Sequence, residues 1–133
     1  MAPSTPNRYR AFCVLGDGRV VAAVGDLINA WFWTVIAPAG SARPQSGIAA
    51  VQSGNNLCVW WFDAGGSLRG ARANDAMSAG TEWANFDYGA TGTVFCKNAG
   101  RRVVSAVSLS EKHMEVYSVN VANLVMNVTW RLP

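Results

Sequence analysis

Ser46 to Ala73, SGIAAVQSGNNLCVWWFDAGGSLRGARA, carries three short strand-like runs divided by two turn clusters. Ile48-Ala-Ala-Val51 is a run of small and β-branched residues, and Ser53-Gly-Asn-Asn56 turns the chain. Leu57-Cys-Val-Trp-Trp-Phe62 is dense in aromatic residues that suit a pleated surface, Asp63-Ala-Gly-Gly66 turns again, and Leu68 to Ala73 alternates apolar with basic or small side chains. The spacing predicts a three-stranded antiparallel meander.

Outward from this stretch the same parts recur. Tyr9 to Leu15 and Arg19 to Val24 are apolar-rich runs joined by Gly16-Asp17-Gly18, a hairpin through a glycine turn. Ile28 to Ile36, INAWFWTVI, is apolar on both alternating faces and is expected to be covered on both sides. Ala37 to Gln45 reads as a loop, Trp83 to Tyr88 as a short edge strand, and Leu124 to Leu132 as the last strand of a hairpin with Met114 to Val119. Setting Phe12-Cys13 against Phe95-Cys96 brings Arg19-Val-Val-Ala-Ala-Val24 onto Arg102-Val-Val-Ser-Ala-Val107, and Ile48-Ala-Ala-Val51 supplies the small-residue run a third time. No segment sustains an apolar period of 3.6, so almost no helix is expected.

The chain has 133 residues, which bounds it to one domain: residues 1–7, with Pro3 and Pro6, form an extended lead-in, and residues 8–133 form a single all-β unit. Half the residues are hydrophobic and 14% are charged, a globular composition that excludes disorder. The longest apolar run, Ala30 to Pro38, is far below the roughly 20 residues of a membrane helix, and no basic-then-apolar leader opens the sequence. The expectation is a cytoplasmic protein, or one released without a signal peptide. The net charge of +3 is scattered, which argues against nucleic acid as a partner. Cys13, Cys58 and Cys96 show no metal-ligand or Cys-x-x-Cys spacing; they read as buried free thiols, with one disulfide and a spare thiol as the alternative.

The Ser46–Trp83 stretch resembles one blade of the fungal fucose-binding lectins, six-bladed β-propellers built from a small-residue strand, a turn, an aromatic strand and a third strand. Ser105 to Trp130 follows the same order more loosely, and Val21 to Val35 supplies two strands. The resemblance implies blade-like repeats of short antiparallel strands. In this propeller-like case three units would be completed to a ring by homo-oligomerisation, which also removes open edges. A single-chain β-barrel, or a sandwich or jelly roll, is the alternative. The resemblance further implies an arginine near the start of the aromatic strand and a glutamate in the third. Those positions hold Cys58 and Gly70 here, and Glu115 and Met126 in the looser copy. Fucose specificity is therefore not carried over.

Nothing in the sequence forms a catalytic constellation, so no enzyme is expected, and neither a cofactor nor a metal is implied. His113, the only histidine, sits in Glu-Lys-His-Met-Glu and reads as a solvated turn residue, since a general base needs an orienting partner and a cleft. Asp17, Asp26 and Asp63 lie in or next to turns, where their side chains bond nearby backbone amides. Asn127-Val-Thr129 is a formal glycosylation sequon with no leader to give it meaning. Trp60 and Trp61 are the foremost ligand-binding candidates. Adjacent strand residues point to opposite faces, so one indole can be core while the other offers a flat platform for a sugar; the alternative is that both are packed. Arg69 and Trp83 complete the candidate set. The reading that results is a non-enzymatic, lectin-like module that binds glycans through Trp and Arg side chains, the alternative being a self-assembling structural protein such as a viral coat-protein domain.

Overall fold

A computed structural model describes residues 9–25, 31–54, 56–74, 84–87, 104–119 and 124–131. The chain is all-β. Its strands are β1 (Tyr9–Val14), β2 (Val20–Gly25), β3 (Phe32–Ala37), β4 (Ile48–Ser53), β5 (Asn56–Phe62), β6 (Leu68–Asn74), β7 (Ala84–Asp87), β8 (Val104–Ser110), β9 (His113–Val119) and β10 (Val125–Arg131). They form three small antiparallel sheets, β1-β2-β3, β4-β5-β6-β7 and β8-β9-β10, and every pairing joins neighbours in sequence. Among the described residues there is no helix, and no sheet closes into a barrel, which sets the single-chain barrel aside. The predicted meander is present in the predicted register of turns, with β7 as its fourth, edge strand.

The three sheets are layered, and β5 explains how. Its residues alternate between two cores: Cys58, Trp60 and Phe62 pack with Val104, Met114 and Val116 of the third sheet, whereas Val59 and Trp61 pack with Val20, Ala22 and Ile36 of the first. The central sheet is thus covered on both faces. Small residues make room for the indoles, since Ala49 and Gly70 stand opposite Trp60 on the two flanking strands. Between sheets, the closest approaches run through β1, β4 and β8, the first strand of each.

The loop after β3 locks the first two sheets together. Gly40 N and Ala42 N donate to the carbonyls of Asp17 and Gly18, and Arg43 N donates to the carbonyl of Phe62. Gly18 is needed for this contact: its φ is +86°, and a Cβ there would meet the Ala42 carbonyl oxygen at 2.7 Å.

Two expectations change. The small-residue runs are not equivalent in position, because β4 and β8 are the first strands of their sheets whereas β2 is the middle strand of its own. Pairing partners, not composition, decide that place. The strand from Ile28 to Ile36 is not covered on both sides: within β3, Phe32, Trp33 and Val35 are exposed. Ile36 and Ala37 are its buried members.

Candidate functional site

The outer face of the first sheet turns away from the central one. Registers Ala11↔Ala23↔Trp33 and Cys13↔Val21↔Val35 place these residues on that face, with Tyr9 and Gly25 at its far end. Val21 and Ala23 are nevertheless buried, lying beside the large side chains that β3 contributes. Trp31 lies over Gly25 so closely that a Cβ at that glycine would stand 2.7 Å from the indole. The outcome is an aromatic face in which Trp33 is 62% exposed.

At the turn end of this face Leu15, Arg19, Val21, Trp33, Thr34 and Val35 line a solvent-facing cavity of about 300 Å³. Arg19 is set there by the β1–β2 turn. Its backbone amide donates to Asp17 Oδ1 at 3.1 Å and its Nε to Asp17 Oδ2 at 2.8 Å. The amide of Arg19 holds the Asp17 carboxyl below the usual carboxylate range; desolvation opposes it, and the Arg19 guanidinium adds to the lowering. The arrangement presents one open indole, one fixed cation and an apolar wall.

The sequence candidates fall elsewhere. Trp60 is 0% and Trp61 3% exposed, on opposite faces of the central sheet, so the packed alternative describes both. Arg69 stands opposite Trp61 in register, and its Nε donates to Asp63 Oδ2 at 2.8 Å while Asp63 Oδ1 accepts from the amide of Ser67 at 2.9 Å. Arg69 thus belongs to a turn-bracing pair. Trp83 lies outside the described residues, as do Cys96 and Asp26. Cys13 and Cys58 are free thiols, and burial pushes the Cys58 thiol up to about 11 despite the downward pull of Arg72.

His113 also differs from expectation. It opens β9 with Nε2 at 2.8 Å from Glu115 Oε1, and Thr129 Oγ1 donates to both Glu115 oxygens at 3.1 and 3.0 Å. The bond from His113 leads in holding the Glu115 carboxyl below its ordinary value, with Asn127 and Thr129 adding to it. The cluster braces β9 against β10 on the outer face of the third sheet. Two residues apart in a strand means one shared face, so the His113–Glu115 spacing was a readable signal; the Thr129 partner depends on register alone. Among the described residues no group of three or more His, Cys, Asp or Glu side chains could hold a metal ion, and no helix is long and apolar enough to cross a membrane.

No protein-family profile and no curated protein matches the chain in sequence. Its backbone superimposes on AofleA from Arthrobotrys oligospora with a TM-score of 0.71 at 12% identity, over 96% of this chain and 43% of that one. The two chains share a fold over that extent. A triple arginine-to-alanine mutant of AofleA gives the same TM-score at 11% identity, over 98% of this chain and 44% of that one. This chain thus spans less than half the length of the solved chains it matches.

Proposed function

We propose that this chain is a non-enzymatic carbohydrate-binding module whose sugar site is the cavity at the turn end of the first sheet. The observation that carries the reading is the pairing of an open Trp33 indole with a positioned Arg19 guanidinium in a cavity of about 300 Å³, within a lectin-like fold. An indole stacks on the apolar CH face of a sugar ring, and a guanidinium donates to its hydroxyls. The volume falls at the lower end of ligand pockets and suits a ring or two. Because Arg19 gives its Nε to Asp17, its terminal nitrogens are the donors for the sugar. The wall is mainly apolar and holds no carboxylate, which fits a neutral glycan. The blade-like sheets belong, in this reading, to a propeller-like ring assembled from copies of the chain.

A glycan array followed by calorimetry on its best ligand tests the assignment. Trp33→Ala is expected to weaken binding by roughly 1 to 3 kcal/mol, the range for aromatic stacking. Arg19→Ala is expected to weaken it as well. Absence of any glycan binding, or full binding by Trp33→Ala, overturns it.

A further inference from the structure

We infer that the outer face of the first sheet binds an extended neutral glycan chain rather than a single sugar, with the indole of Trp31 and the ring of Tyr9 as further stacking positions beyond the cavity. The inference rests on the sugar site proposed above and names the class of ligand that fills it.

Three registered rows build this face. Tyr9 and Gly25 pair at its far end, Ala11, Ala23 and Trp33 form the middle row, and Cys13, Val21 and Val35 lead to the cavity. The last β2–β3 pair is Val24↔Phe32, and Trp31, seated on Gly25, continues that register by one row. Two residues along a strand span about 7 Å and return to the same face, so Trp31 follows Trp33 at a step that successive rings of one glycan chain can take. None of these residues is charged, which matches a neutral chain.

The way Trp31 lies makes it a platform. A Cβ placed on Gly25 would stand 2.7 Å from Cδ2 of the indole, 2.9 Å from Cγ and 3.1 Å from Cε2. Cδ2 and Cε2 are the atoms at which the two rings fuse, and other ring atoms enclose them in the plane. An approach that meets fusion atoms first comes from above or below the ring, so the indole rests one face on the sheet. Trp31 is nevertheless 41% exposed, which leaves its opposite face to solvent. Gly25 is the seat, because any side chain there would lift the ring. Tyr9, 47% exposed, stands in the same row, and the middle row contributes only Ala11 and Ala23 from β1 and β2, so no bulky side chain of those strands interrupts a chain passing over the aromatic groups. Each ring of such a chain gives a CH face to an aromatic group while its hydroxyls stay in water, so binding strands no buried polar group.

Calorimetry with gluco-, manno- and N-acetylgluco-oligosaccharides of one to four rings tests the inference. In the series that binds, affinity is expected to rise from one ring to three. Trp31→Ala is expected to lower the three-ring affinity by about 5- to 150-fold, the ratio that corresponds to roughly 1 to 3 kcal/mol of stacking, and to lower the one-ring affinity far less. Trp31→Phe is expected to keep much of the gain with length, and Tyr9→Ala, a separate change at an exposed position, to lose part of it. Circular dichroism is expected to show the parent's β spectrum in each variant, since both positions are substantially exposed. Equal affinity for one ring and four, or a full gain with length in both Trp31→Ala and Tyr9→Ala, overturns the inference; single-ring binding that Trp33→Ala weakens then leaves the proposed function standing. A mass by sedimentation that falls in sugar-free Trp31→Ala identifies a protein contact on this face and overturns the inference as well. Binding to none of the three series overturns it whatever the glycan array shows, and a blank array ends the proposed function with it.

Discussion

β5 and β3 are both tryptophan-bearing strands with apolar residues on both faces, yet β5 is buried along nearly its whole length while β3 leaves Phe32, Trp33 and Val35 exposed. In β5, Trp60 and Trp61 vanish into two cores because a sheet lies against each face and because small residues flank Trp60 within its own sheet. In β3, Trp33 stands beside buried Ala23 on a sheet whose outer face meets no other sheet among the described residues. Apolar residues on both faces of a strand therefore do not by themselves record whether both faces are covered.

The sharpest way to break this contrast is to truncate one indole from each strand. Trp60→Ala is expected to cost about 3 to 5 kcal/mol in chemical denaturation, as large core truncations do. Trp33→Ala is expected to cost less than about 1 kcal/mol, as surface changes do. Equal losses would erase the distinction between the two strands.

Thiol chemistry sharpens the contrast further. Cys58 of β5 has a folded value of about 11 against an ordinary 9.0, so its stabilisation is complete below pH 9 and is lost as pH rises through about 11. That loss amounts to roughly 2 to 3 kcal/mol and is expected to be absent from the alkaline denaturation profile of Cys58→Ala. Iodoacetamide applied to the native protein is expected to label Cys13, on the outer face of the first sheet, well before Cys58, as read by peptide mass. Labelling in the opposite order would contradict the layering.

Glu115 gives the acid counterpart on the third sheet. Its carboxyl is depressed, chiefly by His113, so the stability it contributes is present above its ordinary value of 4.5 and is lost as pH falls through the depressed one. Thermal melts of Glu115→Gln are expected to show a weaker decline with acid than those of the parent. The smallest effect belongs to Arg69→Ala, which removes a partly exposed ion pair to Asp63 and is expected to cost less than about 1 kcal/mol by urea titration.

Much of the scaffold was legible in the residues. The turns at Ser53–Asn56 and Asp63–Gly66 divide the central meander where the sequence divides it, because glycine and asparagine clusters leave the backbone little else to do. Asp17 and Asp63 bond backbone amides of their own turns, as turn aspartates are expected to. The phase of the small-residue runs was not legible, since Val20–Ala23 and Ile48–Val51 look alike while their places in a sheet depend on which strand each finds as partner. The cavity was hidden for a related reason. Trp33 and Arg19 are far apart in the chain, and only the β2–β3 register, with its irregularity between Val20 and Val21, carries them to one wall. Trp60 and Trp61, conspicuous as an adjacent pair, are conspicuous because a strand buried on both faces needs bulk on both.

Among the described residues each strand pairs with its neighbours in sequence, which bears on how the molecule assembles. Every hairpin closes a short loop at small entropic cost, so each sheet is able to form on its own contacts, and distant parts of the chain meet only when finished sheets dock. Opening is expected to follow the same lines in reverse. The end sheets each have one docked face to lose, whereas β5 is released only when both of its neighbours have separated. Amide hydrogen exchange is therefore expected to be slowest along Leu57–Phe62, with the two end sheets exchanging as separate cooperative units.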